Sequence, residues 1–197
     1  MRALMPRRAF LLCALAAASP VQAAPRDYVL SPQASQISFV FTLNGSPQVG
    51  TAPVASADLR VDPANLAAST ADVRADISRA RTGLVFATQA LKSRDVLDAA
   101  RYPIVRFVST SIQLGRKGRI SGGATITGRL TLRGVTRPLR LNATLTRPAG
   151  TAPDDLSILN IHLTGALSRS AYGASGFADL VADRVDLDIR AQIRARG

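Results

Sequence analysis

The chain has 197 residues, 25 of them basic and 13 acidic, for a net charge of +12, a length suited to one domain or two small ones. Every acid is Asp, the only lysines are Lys92 and Lys117, and Cys13 and His162 are the single members of their types. One Cys rules out a disulfide scaffold, and one Cys with one His cannot make a structural zinc site, which takes about four such ligands.

The N-terminus reads as an export signal. Arg2, Arg7 and Arg8 precede an apolar run from Ala9 to Ala18, and Pro20 leads into Val21-Gln22-Ala23, a small-x-small cleavage site. Cleavage after Ala23 removes three arginines and Cys13, and leaves residues 24–197 as one domain of the periplasm. Arg7-Arg8 followed by Ala9-Phe10-Leu11 also resembles a twin-arginine signal, so either export route stays open. No later stretch reaches the ~18 consecutive apolar residues of a membrane span. Export argues against nucleic acid as a partner. The positive surplus would instead attract an anionic membrane surface or serve solubility; arginines that alternate along strands favour the second.

Period-two alternation dominates the rest. Ile37, Phe39, Phe41 and Leu43 share one face of a first strand, and Asn44-Gly45 is a strong hairpin signal. A second run extends from Val49 through Leu59 to Val61. Val73, Ala75 and Ile77 mark a third, and Val105 and Phe107 begin a fourth that reaches Leu114. Gly115-Arg116-Lys117-Gly118 turns into a fifth strand over 119–132, where Gly122-Gly123 marks a candidate bulge. After Arg133 to Pro138 comes a sixth with Leu139, Leu141, Ala143 and Leu145. Leu156 to Leu167 forms the seventh. In the eighth, Val185, Leu187, Ile189, Ala191 and Ile193 face one way and Asp186, Asp188 and Arg190 the other.

Residues 84–100 break the pattern with Ala- and Leu-rich sequence. They predict a helical insertion, with Ser93 capping a second short helix and Tyr102-Pro103 ending it. Eight antiparallel strands with one helical insertion predict an all-β, closed barrel without exposed edges. Such a barrel is filled by its own side chains or by one small ligand.

Few residues suggest chemistry. Gly173-Ala174-Ser175-Gly176 lacks the spacing of a nucleophile elbow and reads as a turn. His162 has no sequence-evident partner for a catalytic base. Asp95 and Asp98 would share a helical face at i, i+3, the one pairing that would support a hydrolase; acids favoured in a first helical turn explain them as well. No phosphate-cradling glycine motif occurs.

Three blocks, taken in order, resemble the YceI-like family. The first is Thr82-Gly83, then Leu91 to Asp98, Tyr102-Pro103, Phe107 and Ser109. The second is Gly128 to Pro138, and the third Ser168 to Gly173 leading into Leu180 to Val185. Asp27 to Leu30 and Phe39 to Phe41 fit as well, so the resemblance spans 27–193. It implies a lipocalin-like barrel, no enzymatic activity, and a polyisoprenoid such as a quinone or polyprenyl chain held in an elongated apolar pocket. A membrane cytochrome of the b561 type is the partner it implies. The chain departs from the family near its start, with Thr42-Leu43 where a His commonly stands and Gly50 to Pro53 in place of Gly-x-Phe.

The expected ligand-contacting residues combine inward strand parity with the helical lid: Phe39, Phe41, Phe86, Leu91, Leu97, Phe107, Leu141, Ile161, Leu163 and Phe177. Arg169 and Tyr172 either frame the mouth, near a headgroup, or anchor the loop there. Each buried methylene contributes about 0.8 kcal/mol, so an isoprene unit gives roughly 3 kcal/mol against an association cost of about 4–15 kcal/mol. Several buried units are therefore needed. No metal or other cofactor is expected, and the oligomeric state stays open, a homodimer included. The competing readings are a self-filled barrel that docks a membrane cytochrome and an Asp95/Asp98 hydrolase.

Overall fold

A computed structural model describes residues 25–62, 65–115, 122–152 and 155–196. The expected export signal, and the turn expected at Arg116-Lys117-Gly118 with the first residues of the strand expected after it, lie outside the described residues. The strands are β1 Arg26–Leu30, β2 Gln36–Leu43, β3 Ser46–Ala52, β4 Val54–Val61, β5 Thr70–Asp76 and β6 Arg81–Thr82. After helix α1, Val85–Lys92, come β7 Ile104–Leu114, β8 Ala124–Leu132, β9 Val135–Thr146, β10 Ile158–Ser168 and β11 Val181–Ala195.

All pairings are antiparallel. They run β1-β4-β5-β7-β8-β9-β10-β11, and β11 pairs back onto β1 to close the ring. The short strands are halves of longer ones. One edge of β11 is shared between β2, along Val181–Arg190, and β1, along Ile193–Ala195. Likewise β3 and β4 are separated only by Pro53, and β5 and β6 by the 3-10 turn Ile77–Arg79. Counted this way, the molecule is a closed barrel of eight antiparallel strands with one short helix, as the alternation predicts.

The breaks have local causes. Proline has no N–H for the ladder, and the Pro53 carbonyl accepts the Asp76 N–H at 2.9 Å instead. Pro32 opens the 3-10 turn between β1 and β2. β1 itself is not apparent from alternation, since Arg26-Asp27 occupy its start. Asn44 and Gly45 both have positive φ, 48° and 77°, the two-residue hairpin geometry that matches strand twist.

Two local expectations are corrected. The bulge between β7 and β8 lies at Thr110, where register shifts between Ser109 and Ser111, while Gly122-Gly123 precede β8. The second short helix does not form. Ser93 is the C-terminal cap of α1, and its buried hydroxyl makes no hydrogen bond. Asp98 takes φ 47°, left-handed backbone that a right-handed helix cannot continue through. Asp95 and Asp98 therefore share no helical face.

The two ends of the barrel differ. At one, Tyr28, Leu159 and Ile193 form a plug only 1–3% exposed, and the Tyr28 hydroxyl donates to the Leu156 carbonyl at 2.7 Å. Burial pushes the Tyr28 phenol above its ordinary value. At the other end β6 pairs only with β3. Here α1 and the turns after it fill the space, with Leu91 and Leu97 packed against Ile77, Ala80 and Ala99.

Candidate functional site: an apolar cavity and its mouth

Alternation with period two sends every second side chain inward. Along β11, Val185, Leu187, Ile189, Ala191 and Ile193 all line a single internal cavity of about 430 Å³, within the ~300–1,000 Å³ range of ligand pockets. From Val181 to Ile193 this wall covers about 40 Å of strand at ~3.3 Å per residue, so the cavity is elongated. The polar side chains among its lining residues are Ser35, Arg169 and Arg190, and each is engaged. The Ser35 hydroxyl accepts the Gln192 N–H at 3.1 Å. Arg190 sits 3.6 Å from Asp188 on the outer face.

Arg169 is 7% exposed, and its guanidinium donates to four carbonyls: Ala174 at 2.6 Å, Gly176 at 2.8 Å, Val181 at 2.9 Å and Ala182 at 3.1 Å. It is the post around which the β10–β11 loop is wound. Asp183 reinforces the loop: its carboxylate accepts the Ser170 N–H at 2.8 Å. Hydrogen bonds from the Ser168 and Ser170 hydroxyls hold that carboxyl below the usual carboxylate range.

Eleven of the twelve expected contact residues line the cavity: Phe39, Phe41, Phe86, Leu91, Leu97, Phe107, Leu141, Ile161, Leu163, Arg169 and Phe177. Tyr172 does not. It is 3% exposed and packs with Leu130, Leu132, Leu139 and Leu141 in the wall, where burial raises its phenol pKa. Arg169 and Tyr172 thus anchor the loop; a headgroup would meet an arginine already committed to backbone oxygens.

The sequence reading missed the glycines that keep the space open. A Cβ on Gly50 would fall 2.2 Å from the Phe39 ring, and one on Gly128 2.3 Å from the Phe107 ring. Both rings lie down on bare backbone and leave the centre of the barrel free. Glycines within strand-patterned sequence were the available signal.

The mouth is apolar and partly open. Phe86 is 62% exposed, Phe177 48% and Leu180 47%, and all three also line the cavity. Val85, beside them on α1, is 78% exposed. The remaining candidates lie elsewhere. His162 is on the outer face, its Nε2 3.2 Å from Asp188. Asp95 and Asp98 do not line the cavity, and the Asp95 carbonyl accepts the Gly176 N–H. Among the described residues no group of three His, Cys, Asp or Glu could hold a metal, and no helix is long and apolar enough to cross a membrane.

A model of the YceI-like domain matches residues 28–193. The chain belongs to the YceI-like family. UPF0312 proteins are among its relatives: one from Shewanella sp. (strain ANA-3) is 32% identical over 68% of this chain and 71% of that one. Another, from Vibrio parahaemolyticus, is 30% identical over 66% and 68%. In structure the YceI-like chain is similar to BcnA of Burkholderia cenocepacia, with TM-score 0.70, 22% identity, and coverage of 83% and 99%. It is also similar to a polyisoprenoid binding domain from Saccharophagus degradans, with TM-score 0.57, 15% identity, and coverage of 87% and 99%. At those identities the likeness is one of fold.

Proposed function

We propose that the mature protein is a periplasmic binder and carrier of a long isoprenoid, quinone- or polyprenyl-like, or of a similar amphiphile, held tail-first in the barrel. The observation that carries this reading is the cavity wall: it is apolar from plug to mouth, and its polar side chains are already engaged. Such a wall rewards hydrocarbon and penalises polar groups that would enter without partners. The polyisoprenoid-binding neighbour from Saccharophagus degradans supports the same ligand class, and the N-terminal sequence supports export. A carrier of this kind would exchange its load at a membrane, where a cytochrome handling quinones is a suitable partner.

The cavity weighs against a barrel filled by its own side chains, and the placement of Asp95 and Asp98 weighs against a hydrolase. The test is native mass spectrometry of the gently purified mature protein, with organic extraction and lipid identification. A stoichiometric long-chain isoprenoid or other lipid is the expected result. Empty protein that also fails to bind added quinones and polyprenyl lipids would overturn the reading. The same spectra report whether the protein is a monomer or a homodimer.

A further inference from the structure

The positive charge is not spread evenly over the surface. On the wet face of the barrel several arginines pair with aspartates: Arg106 grips Asp72 through Nε at 2.9 Å and Nη2 at 2.5 Å, Arg60 lies 3.5 Å from Asp27, and Arg184 bonds Asp186 on its own strand at 2.5 Å. One place gathers several cations together. An open groove of about 590 Å³ on the barrel flank gathers Arg79, Arg81 and Lys92 with the hydroxyl side chains of Ser35, Thr51 and Ser78. No carboxylate is among its lining residues.

The groove is a product of the three broken strands. Ser35 ends the break between β1 and β2, Thr51 stands just before the break at Pro53, and Ser78 and Arg79 belong to the turn between β5 and β6. Arg81 begins β6, and Lys92 is the last residue of α1. Asp76 partly balances Arg79: its carboxylate accepts the Ser78 hydroxyl at 2.5 Å and the Arg79 N–H. Arg81 and Lys92 make no ion pair or side-chain hydrogen bond among the described residues. Two cations without partners and a third half-balanced, with Thr51 beside them, make a concave basic surface; the Ser78 and Ser35 hydroxyls are already bonded to Asp76 and Gln192. Like charges gathered in one groove repel each other, and a multiply charged anion relieves that repulsion through charge-assisted hydrogen bonds. Ser35 and Ala52 line the groove on one side and the cavity on the other.

We infer that this groove binds an anion of the phosphate class, a phosphate or diphosphate group, through Arg81, Lys92 and Arg79. The site does not require an occupied cavity, so it stands or falls apart from the carrier reading. The group could come from free phosphate in solution or from a lipid headgroup, and both present the same oxygens to the same donors.

The mature protein is titrated calorimetrically at low salt with inorganic pyrophosphate, and its binding is measured to vesicles of equal parts phosphatidylcholine and phosphatidylglycerol. Two double variants with equal charge loss are compared: Arg81→Gln with Lys92→Gln in the groove, and Arg129→Gln with Arg140→Gln on the far wall, where both arginines are exposed. The groove pair is expected to weaken pyrophosphate binding by about tenfold or more, since a hydrogen bond to a charged group is worth about 1.5–3 kcal/mol and each 1.4 kcal/mol is a factor of ten. The far-wall pair should leave it nearly unchanged. Pyrophosphate binding without vesicle binding identifies free phosphate as the source. Vesicle binding that pyrophosphate competes away, and that the groove pair loses, identifies a headgroup. Equal weakening by both pairs, or wild-type protein that binds neither probe, overturns the inference, as does vesicle binding indifferent to pyrophosphate. Should the groove pair not fold, Arg81→Gln alone removes one exposed charge and tests the same point.

Discussion

At the plugged end of the barrel Leu159 and Ile193 are 1% exposed; at the open end Phe86 and Phe177 are 62% and 48% exposed. Both ends are built from similar side chains. They differ in whether the backbone ladder closes around them. β1 pairs with β4 on one side and β11 on the other, so the plug sits inside a complete ring of hydrogen bonds. At the mouth, β6 finds only β3, and an eight-residue helix covers what remains. A closed ring can bury its apolar groups fully and store stability there. An open one leaves them partly wet, which costs stability but gives a ligand tail a way in. Stability and access are therefore assigned to opposite ends of the same cavity.

The largest test of that division is Leu159→Ala. A fully buried leucine lost from a tight plug should cost about 2–5 kcal/mol, read as a fall in the urea midpoint, while lipid recovered by extraction stays at the wild-type ratio. Loss of lipid from folded L159A protein would break the comparison. Gly128→Ala acts in between. The new methyl would meet the Phe107 ring at 2.3 Å and the Val108 carbonyl at 2.6 Å, so ring and strand both shift, which should cost about 1–3 kcal/mol by overpacking and reduce bound lipid measurably. At the mouth, Phe86→Ser should change stability by no more than about 0.5 kcal/mol, as exposed positions usually do, yet slow the uptake of a fluorescent polyprenyl probe from vesicles. An uptake rate unchanged in F86S would show that loading bypasses α1.

Acid should produce the smallest effect and should not discriminate between the ends. Hydrogen bonds from Ser168 and Ser170 lower the pKa of Asp183 at the mouth, and those from Ser157 lower that of Asp155 near the plug. Arg106 does the same for Asp72 in the wall. Folded-state values below the unfolded ones mean that this stabilisation is complete above about pH 4 and is lost as the pH falls through the folded values. Urea midpoints should be level from pH 7 to about pH 5 and decline below pH 4. A decline beginning near pH 6 would implicate other groups.

How much of this was readable beforehand follows from the range of each interaction. Val185 to Ile193 gave the inner wall because parity is a property of a single strand. The breaks at Pro53 and Ile77–Arg79 were only half visible: proline announces a missing donor, but whether the strand resumes beyond it depends on its neighbour. For Arg169 the sequence leaves loop anchor and headgroup contact both open, since its four carbonyls are set by how residues 174–182 fold back. The groove was hidden for the same reason. Residues 35, 51, 79, 81 and 92 come together only when three broken strands and the end of a helix meet, and in sequence their charges look evenly scattered.

The carbonyl cage around Arg169 has a mechanical side. Moving the β10–β11 loop away would strand a guanidinium and four peptide oxygens together, so the side of the entrance carrying Phe177 is a fixed jamb. α1 is tethered more lightly: no side chain caps its first turn, and Thr82 and Thr88 hold it at its base, with the Thr82 N–H donating to the Thr88 hydroxyl at 2.9 Å. If a bulky tail needs a wider doorway, the leaf that swings is the helix, with its hinge at that pair of threonines.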